Sequence, residues 1–193
     1  MMRSASATRE ALRADSSVAG YVARMPAIKR LGQLLRPDLA DAIRQWESIH
    51  SRAASEPGVR QPDFSAVEVI LSHGASQLVD HRRYGSSTAH TADEPVLLLA
   101  DLFQRPPSSV LAKMANLDGS RPHGAKFDHA AGLAWSADRE RFDRAYAVAL
   151  LAARRTAVDP AALPDFLAPG WRPGAVLRSS LRPLPPPELP DRS

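Results

Sequence analysis

Ser108, Ser109, Lys113 and Asn116 recur at spacings that place them on one side of a helix. Each suits nucleic acid. A lysine ammonium reaches a phosphate or a guanine edge, an asparagine amide carries the donor–acceptor pair that adenine presents, and serine hydroxyls beside the first amides of a helix suit a phosphate. Arg105, just upstream, would flank that phosphate. Downstream, Arg121, His123 and Lys126 surround Gly124 in a turn-rich strip able to lie over a sugar-phosphate backbone or in a minor groove. Arg105, Ser108, Ser109, Lys113, Asn116, Arg121, His123 and Lys126 are thus the candidate contacts to double-stranded DNA. The plainer account of the same residues is an N-cap at Ser108-Ser109 after Pro106-Pro107, followed by a solvated basic loop.

Other chemistry finds less support. The histidines at 50, 73, 81, 90, 123 and 129 are scattered, and neither Asp80-His81 nor the pair His123 and His129 has the close spacing and third ligand of a zinc site. With no cysteine in the chain, disulfides, thiolate metal sites and cysteine nucleophiles are excluded. Nucleophile elbows, phosphate loops and dinucleotide fingerprints do not occur either. The expectation is a non-enzymatic protein with no catalytic residues, no metal and no cofactor.

The elements that must position these residues read as helices. Alanine and leucine are plentiful and aromatic residues make up only 6% of the chain, a composition that suits packed helices better than sheets. Met1 to Ala14 forms a polar leader, and Ser16-Ser17 can cap a helix from Val18 that Pro26 interrupts. Ile28, Leu31, Leu34 and Leu35 predict a helix ending at Arg36, with Pro37 opening the next. Along that helix Leu39, Ile43, Trp46 and Ile49 form one apolar stripe, a core face by the ordinary account and a dimer seam by the alternative. Glu56-Pro57-Gly58 closes it.

Asp63 or Ser65 can cap a helix from Ala66, weakened in its middle by Gly74. After a polar loop at Tyr84–Thr91, Asp93 and Pro95 open a largely apolar helix. Arg105-Pro106-Pro107 breaks the chain before the helix Pro107–Leu117, which stops at Asp118-Gly119. Val110, Leu111, Met114 and Leu117 face inward; Ser108, Ser109, Ala112, Lys113 and Asn116 face solvent. Residues 120–128 read as a turn-rich strip, and a last helix spans about Asp138 to Arg155 over Trp135. From Asp159 the chain is rich in proline, which predicts an extended or disordered tail.

The string from Leu99 to Leu117 resembles the helix-turn-helix module that precedes the catalytic domain in a family of bacterial HNH restriction endonucleases. Arg105, Ser109, Val110, Lys113, Asn116 and Leu117 match that pattern in type and spacing, whereas Gln104 stands where glycine is usual. The helix from Phe64 to Val79 would be the module's first, and Lys126-Phe127-Asp128 is similar to the segment that follows it. The resemblance implies DNA recognition. It does not carry cleavage over, because the HNH histidines within a ββα unit are not seen after Asp138.

The expected protein is all-α: a helical bundle containing a helix-turn-helix-like three-helix module, with a proline-rich tail. Three regions are expected, at 1–57 for packing or dimerisation, 58–158 for the module and its supporting helix, and 159–193 for the tail. The expected role is a bacterial, cytoplasmic DNA reader in transcription regulation or antiviral defence. Two alternatives are a helical interaction or scaffold protein and a non-catalytic accessory subunit of a restriction system. Expected partners are double-stranded DNA, a second copy pairing two half-sites, and a protein groove for the polyproline end. The longest apolar run, Pro95 to Ala100, is too short for the roughly 20 residues of a membrane span, so no membrane is expected.

Overall fold

The computed structural model describes residues 29–53, 61–121, 124–156, 158, 163–169 and 171. Among them the regular structure is entirely helical: α1 (29–35), α2 (Leu39–His50), α3 (Ala66–Ser76), α4 (Glu94–Leu102), α5 (Pro107–Leu117), α6 (Lys126–Ala137) and α7 (Arg139–Arg154), with short 3-10 turns at His81–Arg83 and Ala89–Thr91. None of these helices is long and apolar enough to cross a membrane. The leader and the helix expected from Val18 lie outside the described residues.

Local chemistry sets the helix boundaries. α2 starts at Leu39 rather than at Pro37, and Asp38 caps it, its carboxylate accepting from the Asp41 amide. At α3, Ser65 and Glu68 form a reciprocal capping box, which satisfies two of the amides a helix start leaves unpaired. The α5 helix begins at Pro107, where a missing N–H costs nothing, and the chain leaves it through Gly119 at φ +75°.

The apolar stripe of α2 packs on α7 and α3: Trp46 and Ile49 are buried, and the Trp46 indole N–H donates to the Ala149 carbonyl at 2.9 Å. The Gln45 side chain accepts from the Val67 amide of α3. The expected corner near residues 57–58 falls outside the described residues, yet helices on either side of it share one core. In α3, Gly74 proves to be a contact position rather than a weak point. A Cβ there would fall 2.6 Å from the Tyr146 ring, so glycine lets α3 and α7 approach closely.

Two expectations are corrected. Residues 126–137, read in part as a turn-rich strip, form α6, which packs on α5 and α7. The tail also starts later than Asp159. Phe166 is buried and Leu163, Leu167 and Trp171 pack against the core, while the Tyr146 hydroxyl accepts from the Phe166 amide and meets the Pro164 carbonyl. Apolar side chains between the prolines and one buried hydroxyl hold this segment against the helices.

Candidate nucleic-acid interface

Helices α3, α4 and α5 pack on one another, and residues 103–106 connect α4 to α5. That connection turns at Gln104, the one non-glycine among the described residues with positive φ (52°). This left-handed conformation is one that glycine adopts more readily than other residues. Beyond the turn, the Arg105 amide donates to the Ala100 carbonyl at 2.8 Å and Arg105 points inward.

Arg105 is only 5% exposed. Its Nε donates to Glu68 Oε1 at 2.6 Å and its Nη2 to the Asp63 carbonyl at 3.3 Å. Arg52 donates to the same Glu68 oxygen at 2.7 Å and to the Phe103 carbonyl at 2.8 Å. Glu68 is fully buried. Burial acts to raise its pKa, but hydrogen bonds from Arg52, Arg105 and Ser65, with the charge of Arg105, outweigh it and hold the carboxyl below its ordinary range.

Lys113 is the second correction at the site. It was expected on the solvent side of α5 but is 6% exposed, and its ammonium pairs with the buried carboxylate of Asp128 on α6. The physical reason is α6 itself: once this helix covers that side of α5, a lysine there needs a buried counter-charge. Both buried cations pack against the Phe64 ring, the Arg105 guanidinium carbon at 4.0 Å and Lys113 Nζ at 4.6 Å from its centre. Neither cation can touch DNA without breaking its ion pair. They hold α5 in place, linking it to α3 and α6.

The side of α5 that remains open carries small residues. Ser108, Ser109, Ala112, Ala115 and Asn116 are all half-buried. Ser109 borders a cleft that also holds Arg105, Lys113 and Phe64, whereas Ser108 borders a second cleft, of about 510 Å³, between α5 and residues 81–86. Asn116 leans on the following loop: a Cβ at Gly124 would fall 2.2 Å from its Oδ1, and that buried oxygen has no hydrogen-bond partner among the described residues. Arg121 is exposed on the rim of the second cleft. His123 lies outside the described residues, as does the side chain of Lys126. Of the four expected DNA-contacting cations Arg105, Lys113, Arg121 and Lys126, two, Arg105 and Lys113, are therefore internal.

The structure also brings in basic groups that the sequence left aside. Arg82 and Arg83 are exposed, and Arg82 lies on the cleft beside Ser108, Ala112 and Ala115. Their visible signal is the basic run His81-Arg82-Arg83; its proximity to α5 is a tertiary property. No cluster of three or more His, Asp or Glu that could hold a metal ion occurs among the described residues. Comparison of the chain with protein-family models, curated proteins and solved structures gives no match.

Proposed function

We propose that the protein is a non-enzymatic reader of double-stranded DNA, in which α3, α4 and α5 act as a helix-turn-helix unit and the open side of α5 enters a groove. One observation carries this reading. On α5 the long cationic side chain is locked inside, and the open side holds only small residues, with exposed Arg82 and Arg121 at its border. A helix stripped in this way lets its backbone approach base edges closely, while flanking guanidinium groups meet phosphates. Ser108, Ser109 and Ala112 are the readers in this account, Arg82, Arg83 and Arg121 the phosphate contacts, and Arg105 and Lys113 the supports, while Asn116 leans on the following loop. The biological setting it fits is regulation or a defence system that senses DNA without cutting it.

Fluorescence anisotropy with labelled duplex DNA tests the proposal. Binding should appear at low salt and weaken linearly on a logarithmic scale as salt rises, because counterions are released from the duplex. Absence of binding at low salt contradicts it.

A further inference from the structure

Three residues that line the cleft between α5 and residues 81–86, namely His81, Arg82 and Ser120, reach the carboxylate of Asp118 beside it. This aspartate sits at the C-terminal end of α5, where the helix dipole disfavours a negative charge, so the helix itself gives no reason for an acid there. Its carboxylate is instead met by residues 81 and 82 from one other segment and by the Ser120 amide of its own loop. Arg82 Nη2 donates to Oδ2 at 2.8 Å, the Ser120 amide donates to Oδ1 at 2.8 Å, and His81 Nε2 lies 3.4 Å from Oδ2. His81 Nε2 is also 3.3 Å from the Ser120 hydroxyl, and Arg121 lines the same cleft. A guanidinium, a backbone amide and an imidazole thus converge on one oxyanion, while the Ser120 hydroxyl beside them donates to the Ala115 carbonyl at 3.4 Å.

We propose that this cleft is a phosphate site, formed by His81, Arg82, Ser120 and Arg121, whose place is held in the free protein by the Asp118 carboxylate and taken by a backbone phosphate when DNA binds. The inference rests on the DNA-reading proposal for the source of the phosphate, but not for the site. Two properties favour exchange. The Asp118–Arg82 pair is largely open to water, with the Arg82 side chain 68% exposed, and such pairs are weak. A phosphate carries the same kind of oxygen acceptors as a carboxylate and can accept from all of these donors at once. Asp118 then acts as a built-in competitor, lowering affinity for any duplex whose backbone does not reach into the cleft.

The test uses the full chain, labelled with ¹⁵N, as wild type, Asp118→Asn and Arg82→Ala. Inorganic phosphate should move the Ser120 amide and His81 ring signals of D118N at lower concentration than in wild type, and should not move them in R82A. Labelled duplex should bind D118N about fivefold more tightly than wild type, the scale of one exposed ion pair. If phosphate moves these signals in D118N but neither chain binds duplex, the phosphate site stands and the DNA reading fails. An unmoved Ser120 amide in D118N, an R82A response equal to wild type, or duplex binding by D118N no tighter than a wild type that binds would each overturn the inference. Should D118N melt early, the contrast between wild type and R82A at high phosphate decides.

Discussion

Lys113 on α5 and Asp128 on α6 form an ion pair in which both charges are buried. This pair ties the candidate reading helix to the helix that follows it. Removing one partner leaves an isolated buried charge, whereas removing both does not. K113M should therefore lower the free energy of unfolding by roughly 3–5 kcal/mol, and D128L by a similar amount, while the double variant recovers most of the loss. Denaturant unfolding of the four proteins in a double-mutant cycle measures this. Additive losses would mean that the pair does not act as a unit.

Glu68 predicts a pH dependence of known sign. Its folded pKa lies below the ordinary carboxylate value, so the folded state binds fewer protons and the stability this contributes is present above about pH 4.5. That stability is lost as pH falls through the folded pKa. Glu68→Gln should cost on the order of 3 kcal/mol at pH 7 by leaving Arg52 and Arg105 without their buried counter-charge. The gap between variant and wild type should narrow on acidification, as followed by denaturant midpoints between pH 7 and pH 3.

His73 acts over a higher window. It packs between Trp135, at 5.0 Å, and Phe142, at 4.7 Å between ring centres, and burial followed by the charge of Arg139 lowers its pKa to about 4. An unfolded histidine titrates near 6.5, so between these values the unfolded state binds the extra proton and stability falls as pH falls. Over the full interval this amounts to about 3 kcal/mol. His73→Phe keeps the aromatic packing and should remove this dependence. Thermal melts of both proteins at pH 7 and pH 5 should differ more for wild type than for H73F.

Gly132 predicts a steric effect at the α5–α6 contact. A Cβ there would stand 2.2 Å from the Leu117 carbonyl oxygen, a backbone atom that no rotamer change can move. Gly132→Ala should lower stability by about 1–3 kcal/mol or more, despite alanine's better helix propensity. A melting temperature equal to or above wild type would show that α5 and α6 do not approach so closely.

What the sequence disclosed follows from where the signals lie. The bounds of α5 were legible because Pro106-Pro107 starts the helix and Asp118-Gly119 stops it, and both signals act locally. The sequence left the α3 cap open between Asp63 and Ser65; it is Ser65, with Glu68 completing a capping box. The burial of Glu68 was not legible, since Arg52 and Arg105 reach it from far along the chain. The decisive omission was α6. Its N-cap position is Ala125, with no side chain to announce a start, and Gly132 with many alanines blurs its periodicity. Without α6, Asp128 reads as a loop acid and Lys113 as a free cation. The same short-range view passed over Arg82, because only the fold brings it to the cleft along α5.

The most direct test of DNA reading by the open side of α5 is Ser108→Glu. A glutamate in the first helical turn suits the helix dipole, so the fold should be unchanged or slightly stabilised, while its charge faces the incoming phosphates. Anisotropy with labelled duplex at low salt should show affinity reduced at least tenfold, roughly 1.4 kcal/mol, with an unaltered melting temperature. Duplex binding by S108E equal to that of wild type would contradict the account.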